Sequence, residues 1–128
     1  MQYLLDTHAL LWYFEQSENL PSKVNNLIKD DKNKCAVSII SIYEIALKLN
    51  IKKLNIKFDI AQILAATQKE AIEILNIKPS YLFYLTTAQF HHKDPFDKLI
   101  LSTAIVDEYI LLSKDRQFAN YNIPVLWE

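Results

Sequence analysis

Along the chain, short apolar runs alternate with longer stretches in which apolar residues recur every three or four positions. Gln2-Tyr-Leu-Leu5 reads as a short buried strand ending at Asp6. A helix is predicted from about Thr7 to Glu15, and a second from Ser22 to about Asp31, with Pro21 suited to its first turn. Residues 35–39 are the next strand candidate. Ser41 is then placed to cap a helix carrying Glu44, Ala46, Leu47 and Lys48. Residues 51–58 alternate loosely and read as a polar connection, ahead of a helix from Asp59 to about Ala71. Residues 72–77 read as a strand, and Pro79 to about Phe90 as a helix. Another helix starts at Asp94-Pro95 and runs to about Glu108. Residues 109–113 form a strand leading to Asp115, and a helical turn and residues 124–127 close the pattern.

Strands thus alternate with helices throughout, which predicts an α/β fold with a parallel sheet. The 128 residues suffice for one core, and no repeat, low-complexity segment or linker divides them. A single domain over residues 1–128 is the expectation.

The pattern also places the acids. Asp6 follows the first strand and Asp115 follows a late one, while Glu44 and Asp97 each fall in the first turn of a predicted helix. The carboxyl ends of parallel strands share one edge, and helices that follow them open at that edge. Four acids distant in sequence are therefore expected to converge. Crowded carboxylates raise one another's pKa values. A bound cation relieves this, and oxygen ligands suit hard ions such as Mg²⁺ or Mn²⁺.

Capping is the competing account. Ser41-Ile-Tyr-Glu44 and Asp94-Pro-Phe-Asp97 both have the layout of a capping box. Capping alone explains Ser41, Glu44, Asp94 and Asp97; it does not explain all of Asp6, Glu44, Asp97 and Asp115 at one edge. The two roles are compatible, because a capped first turn is rigid.

Four segments carry a family resemblance. Leu4-Leu-Asp-Thr-His-Ala-Leu-Leu-Trp12 resembles the opening of PIN-domain nucleases, especially the VapC-type toxins of bacterial toxin–antitoxin pairs. Residues 38–48, 92–104 and 111–115 resemble their second, third and fourth motifs, in order and with matching spacing. The resemblance implies a three-layer α/β/α sandwich with a central parallel sheet, and Mg²⁺- or Mn²⁺-dependent cleavage of RNA. It implies Asp6, Glu44 and Asp97 as principal metal-binding acids, Asp115 as the fourth and Asp94 as an additional acid. Thr7 and Ser113 match small hydroxyl residues that orient the acids or bind phosphate. It also implies a cognate antitoxin partner and a homodimer. Two positions depart from the pattern: the loop at Ile51-Lys-Lys-Leu54 has no glycine, and Lys98 stands where arginine is common.

Composition narrows the alternatives. Net charge is −1, which at first argues against a nucleic-acid partner. If about five of the 15 acids surround cations, about ten remain against 14 basic residues, a mildly basic remainder. Glycine is absent, so phosphate-cradling loops of the P-loop or dinucleotide-binding kind are excluded. The lone Cys35 has no internal partner and reads as a small buried hydrophobe. No apolar run approaches a membrane span, and no signal-peptide pattern opens the chain; a cytoplasmic location is expected.

Other polar residues stay open between two roles. His8, Lys48, His92 and Lys98 are candidates for substrate binding. His8 is equally a structural group on the first helix, and His91 and His92 equally a polar loop before Asp94. Lys48, Lys52, Lys53 and Lys57 form either a solvated face or a guide for RNA. The aromatic runs Trp12-Tyr-Phe14 and Tyr81, Phe83, Tyr84 divide between core and interface. A phosphatase would want an acid where His8 stands, and a receiver domain would want paired acids at the first strand. The non-enzymatic rival is a catalytically weak RNA- or protein-binding module on the same scaffold.

Overall fold

The structure, a computed structural model, describes residues 1–90 and 92–128. Among these, β1 (Gln2–Leu5), β2 (Lys34–Ser38), β3 (Glu73–Leu75), β4 (Ile110–Leu112) and β5 (Val125–Leu126) form one sheet in the order β3-β2-β1-β4-β5. Every neighbouring pair is parallel. The helices are α1 (Thr7–Glu15), α2 (Ser22–Lys29), α3 (Ile39–Asn50), α4 (Ile60–Lys69), α5 (Pro79–Thr87) and α6 (Pro95–Val106). A 3₁₀ turn covers Arg116–Asn120.

The central strand explains the layering. Side chains alternate across a strand, so Tyr3 and Leu5 face one way and Leu4 the other. Tyr3, Leu5 and Val37 pack with Leu10 of α1, Val24 of α2, Ile45 of α3 and Ile63 of α4. On the other face Leu4, Ala36 and Leu111 pack with Ile100, Leu101 and Ala104 of α6 and with Phe118. Leu4, Leu5, Leu111 and Leu112 are fully buried, each stabilising the fold by about 1.5–3 kcal/mol. The predicted α/β/α arrangement is therefore present. Cys35 lies in the first core, where burial pushes its thiol pKa up, consistent with an inert hydrophobe. No helix among the described residues is long and apolar enough to cross a membrane.

Three local expectations are corrected. Helix α3 starts at Ile39, and Ser38 rather than Ser41 is its cap, accepting from the Ile40 N–H at 3.1 Å. The β-branched pair Ile39-Ile40 reads as the end of a strand in sequence, which hides the true start. Glu44 is consequently one turn further into the helix, and no capping box forms there. Pro21 is the cap residue of α2, just outside its first turn. Strands β3 and β4 are also shorter than their apolar runs. The preceding residues Ile72 and Tyr109 spend their N–H groups on Thr67 and Ala104 carbonyls, at 3.0 and 2.9 Å, closing α4 and α6.

Those closures are made without glycine. Gln16, Lys52, Ala71 and Glu108 take left-handed conformations, with φ of 53°, 58°, 56° and 58°. The following N–H in each case reaches back five residues to a helix carbonyl, the Schellman arrangement. A residue with a Cβ in this region bears about 1–2 kcal/mol of strain.

Candidate metal and nucleic-acid site

The register of the sheet builds the site. Leu5 pairs with Leu112, so the next residues, Asp6 and Ser113, stand side by side at the carboxyl edge. The Asp6 N–H donates to the Leu112 carbonyl at 3.2 Å, extending the ladder one step. The chain winds outward from β1 in both directions, and β1 and β4 flank the crevice where ligands of open α/β sheets bind.

Each acid is held by its local structure. Asp6 caps α1, its Oδ1 accepting the Ala9 N–H at 2.8 Å. Asp94 caps α6, accepting from the Phe96 and Asp97 N–H groups, with Pro95 at the first helical position as the sequence predicts. Asp115 caps the 3₁₀ turn through Gln117 at 2.9 Å, and its own N–H donates to Ser113 Oγ at 3.0 Å. Glu44, on the second turn of α3, accepts Thr7 Oγ1 at 2.7 Å and Lys48 Nζ at 2.9 Å. The cap foreseen at Asp94 forms, but Asp97 gives it only its backbone N–H, so the reciprocal half of the expected capping box is missing and the Asp97 carboxylate is left to the cavity.

These side chains line one cavity of about 210 Å³: Asp6, Glu44, Asp94, Asp97 and Asp115 with Thr7, His8, Lys48 and Phe118. Five carboxylates share it with a single lysine. The electrostatic consequence falls on Asp97, whose pKa is pushed up to about 7 by burial and then by Asp94, Asp115, Glu44 and Asp6. Asp6 is also raised, chiefly by burial, with Asp115 adding; the Ser113 hydroxyl, the Ala9 N–H and His8 oppose the rise. One ligand atom from each of His92, Asp97 and Asp115 lies within 4.8 Å of the others. A cavity with five carboxylates and one lysine is short of positive charge and suits a hard divalent cation.

The remaining predicted residues divide. His8 is exposed at the rim of the cavity, and Lys48 joins it through Glu44. Ser113 sits beside Asp6, whereas Ser41 is fully buried, and its Oγ has no hydrogen-bond partner among the described residues. Lys98 Nζ lies over the Phe90 ring at 5.9 Å, outside the lining of the cavity. His92 is buried, its Nε2 3.3 Å from Asp115 Oδ2, an arrangement that the polar string His91-His92-Lys93 does not announce. His91 lies outside the described residues. Of the aromatic runs, Tyr13 and Tyr81 are core residues, Trp12 packs against Trp127 at 5.8 Å, and Phe83 is exposed.

The family model described as PIN domain matches residues 3–124. No curated protein sequence matches the chain. Solved structures share its fold at low identity. The VapBC2 complex of Rickettsia felis bound to a promoter DNA fragment aligns with a TM-score of 0.70 and 21% identity, covering 100% of both chains. A toxin–antitoxin complex from Klebsiella pneumoniae aligns at 0.64 and 19% identity, over 97% of this chain and 96% of the other. DNA-bound VapBC from Salmonella typhimurium aligns at 0.64 and 14% identity, over 98% and 97%.

Proposed function

The chain belongs to the PIN domain family of nucleases, and from that premise we propose that it is a metal-dependent endoribonuclease, the toxin of a toxin–antitoxin pair. The observation that carries the reading is the convergence of Asp6, Glu44, Asp97 and Asp115 on one cavity, with Asp97 pushed up to about 7 by burial and the acids around it.

In this reading Asp6, Glu44, Asp97 and Asp115, with Asp94 as an additional acid, hold Mg²⁺ or Mn²⁺. Bound there, such an ion lowers the pKa of water and stabilises charge developing on a phosphodiester. Thr7 and Lys48 fix the Glu44 carboxylate by a hydrogen bond to each oxygen. Lys48, 39% exposed, and the exposed His8 offer positive or hydrogen-bonding groups to phosphates at the rim. A cavity of about 210 Å³ is far too small for a duplex, which favours a single-stranded or looped RNA as substrate. Water adds to phosphorus, the bond to the 3′-oxygen breaks, and the products carry a 5′-phosphate and a 3′-hydroxyl.

The partner reading rests on surface chemistry and on the assemblies in which the structural neighbours were solved. A groove of about 300 Å³ beside α1 joins apolar Phe14, Phe58 and Ala66 to polar Gln16, Lys29 and Lys69, and suits an amphipathic antitoxin segment. Exposed Tyr43, Leu47, Leu82 and Phe83 on α3 and α5 suit a homodimer contact. A single cytoplasmic domain fits both. End-group analysis of a cleaved RNA hairpin tests the reaction. A 2′,3′-cyclic phosphate, or cleavage undiminished by excess EDTA, overturns it.

A further inference from the structure

We propose that His92 is a positioning residue for the site: it donates from Nε2 to Asp115 and locks that carboxylate for cation binding, without itself being a ligand. The inference rests on the metal-site reading above and deepens it. His92 is 5% exposed. Its ring stacks on Phe118 at 4.6 Å and on Tyr121 at 5.5 Å between centroids. A buried ring held on two aromatic faces has little freedom to swing toward substrate.

The hydrogen-bond accounting gives the role. An ionised carboxylate only accepts, so the 3.3 Å contact between Nε2 and Asp115 Oδ2 requires the proton on Nε2. The other ring nitrogen, Nδ1, lies 3.0 Å from Tyr121 Oη, a hydroxyl that can serve as its hydrogen-bond partner. The same Oη accepts the His92 backbone N–H at 3.1 Å, tying the ring and its main chain to one anchor. Asp115 Oδ1 meanwhile accepts the Gln117 N–H at 2.9 Å. Each oxygen of Asp115 therefore has one fixed donor, and each keeps a lone pair for a cation. A nitrogen that carries a proton toward Asp115 has no lone pair to offer, although it lies close enough to the acids to resemble a ligand. The relation inverts the usual outer-shell pattern, in which a carboxylate orients a ligating histidine.

The test is Mn²⁺ titration followed by electron paramagnetic resonance, on the full chain and on His92→Phe, His92→Gln and Tyr121→Phe. His92→Phe keeps a stacking ring and removes the donor; we expect Mn²⁺ affinity to fall about 10-fold or more, the usual cost of losing an outer-shell partner. His92→Gln restores a donor and recovers most of the affinity. The parent's pulsed spectrum shows no ¹⁴N coupling from a directly bound imidazole. Should His92→Phe fail to fold, Tyr121→Phe, which keeps both rings, reports a loss of a few-fold. Parent-like affinity in the folded His92→Phe protein, or in Tyr121→Phe if it is the only one folded, overturns the inference alone. So does direct ¹⁴N coupling in the parent. A parent that binds no Mn²⁺ at millimolar concentration overturns the metal site itself, and this inference with it.

Discussion

Replacing Asp97 by asparagine should stabilise the metal-free protein while destroying its chemistry. Folding raises the Asp97 pKa from an ordinary 3.8 to about 7, first through burial and then through Asp94, Asp115, Glu44 and Asp6. Between those two values the folded state binds more protons than the unfolded one. Stability therefore falls as pH rises through this window and is lowest above it. At 1.36 kcal/mol per pKa unit the loss is at most about 4 kcal/mol. Solvent screening and the coupled titration of five acids reduce this to roughly 2 kcal/mol. The asparagine amide carries no charge to repel, so Asp97→Asn should melt about 6–8 °C above the parent in EDTA at pH 8, at about 3–4 °C per kcal/mol for this size. The gap should narrow toward pH 4.5. Millimolar Mn²⁺ should close it by stabilising only the parent. The assay is a set of thermal melts across pH 4.5 to 8.5, with and without metal. A parent whose melting temperature is flat across this range, or an Asp97→Asn protein no more stable in EDTA at pH 8, refutes the electrostatic reasoning.

Asp6→Asn and Glu44→Gln should each lower kcat about 100-fold or more, on the scale of losing one preorganised electrostatic group; single-turnover cleavage with the fold checked by circular dichroism measures this. Lys48→Met leaves the buried Glu44 carboxylate without its cationic partner and should lower stability in metal-free buffer by about 1 kcal/mol or more, readable by urea denaturation. It should also reduce the salt slope of RNA binding by about 1 in filter-binding titrations. Ala71→Gly should relieve the left-handed strain at the end of α4 but add disorder to the unfolded chain, a net gain of roughly 0.5 kcal/mol readable by urea denaturation.

Much of this architecture was legible because it is written locally. Asp94-Pro95 announces the start of α6, and the apolar runs before Asp6 and Asp115 announce strands buried on both faces. Parallel pairing then brings the two acids to one edge without further information. What was hidden depended on competing local signals or on distant partners. Ser41 precedes a glutamate at capping-box spacing, whereas Ser38, the actual cap, stands before two β-branched residues that read as strand. Ile72 and Tyr109 look like strand residues, but helix closure claims their N–H groups. The place of His92 depends on Phe118 and Tyr121, which are far away in sequence and carry no spacing signal. The Thr7–Glu44 bond likewise joins two elements whose docking no periodicity specifies.

The left-handed residues at Ala71 and Glu108 lead directly into β3 and β4, and so lie at the amino edge of the sheet, across the molecule from the acids. Substitutions at sites so far apart combine additively. Thermal tolerance and turnover are therefore separately adjustable in this chain. A lineage carrying it can drift in melting temperature at one rim of the sheet while the chemistry at the other rim stays fixed.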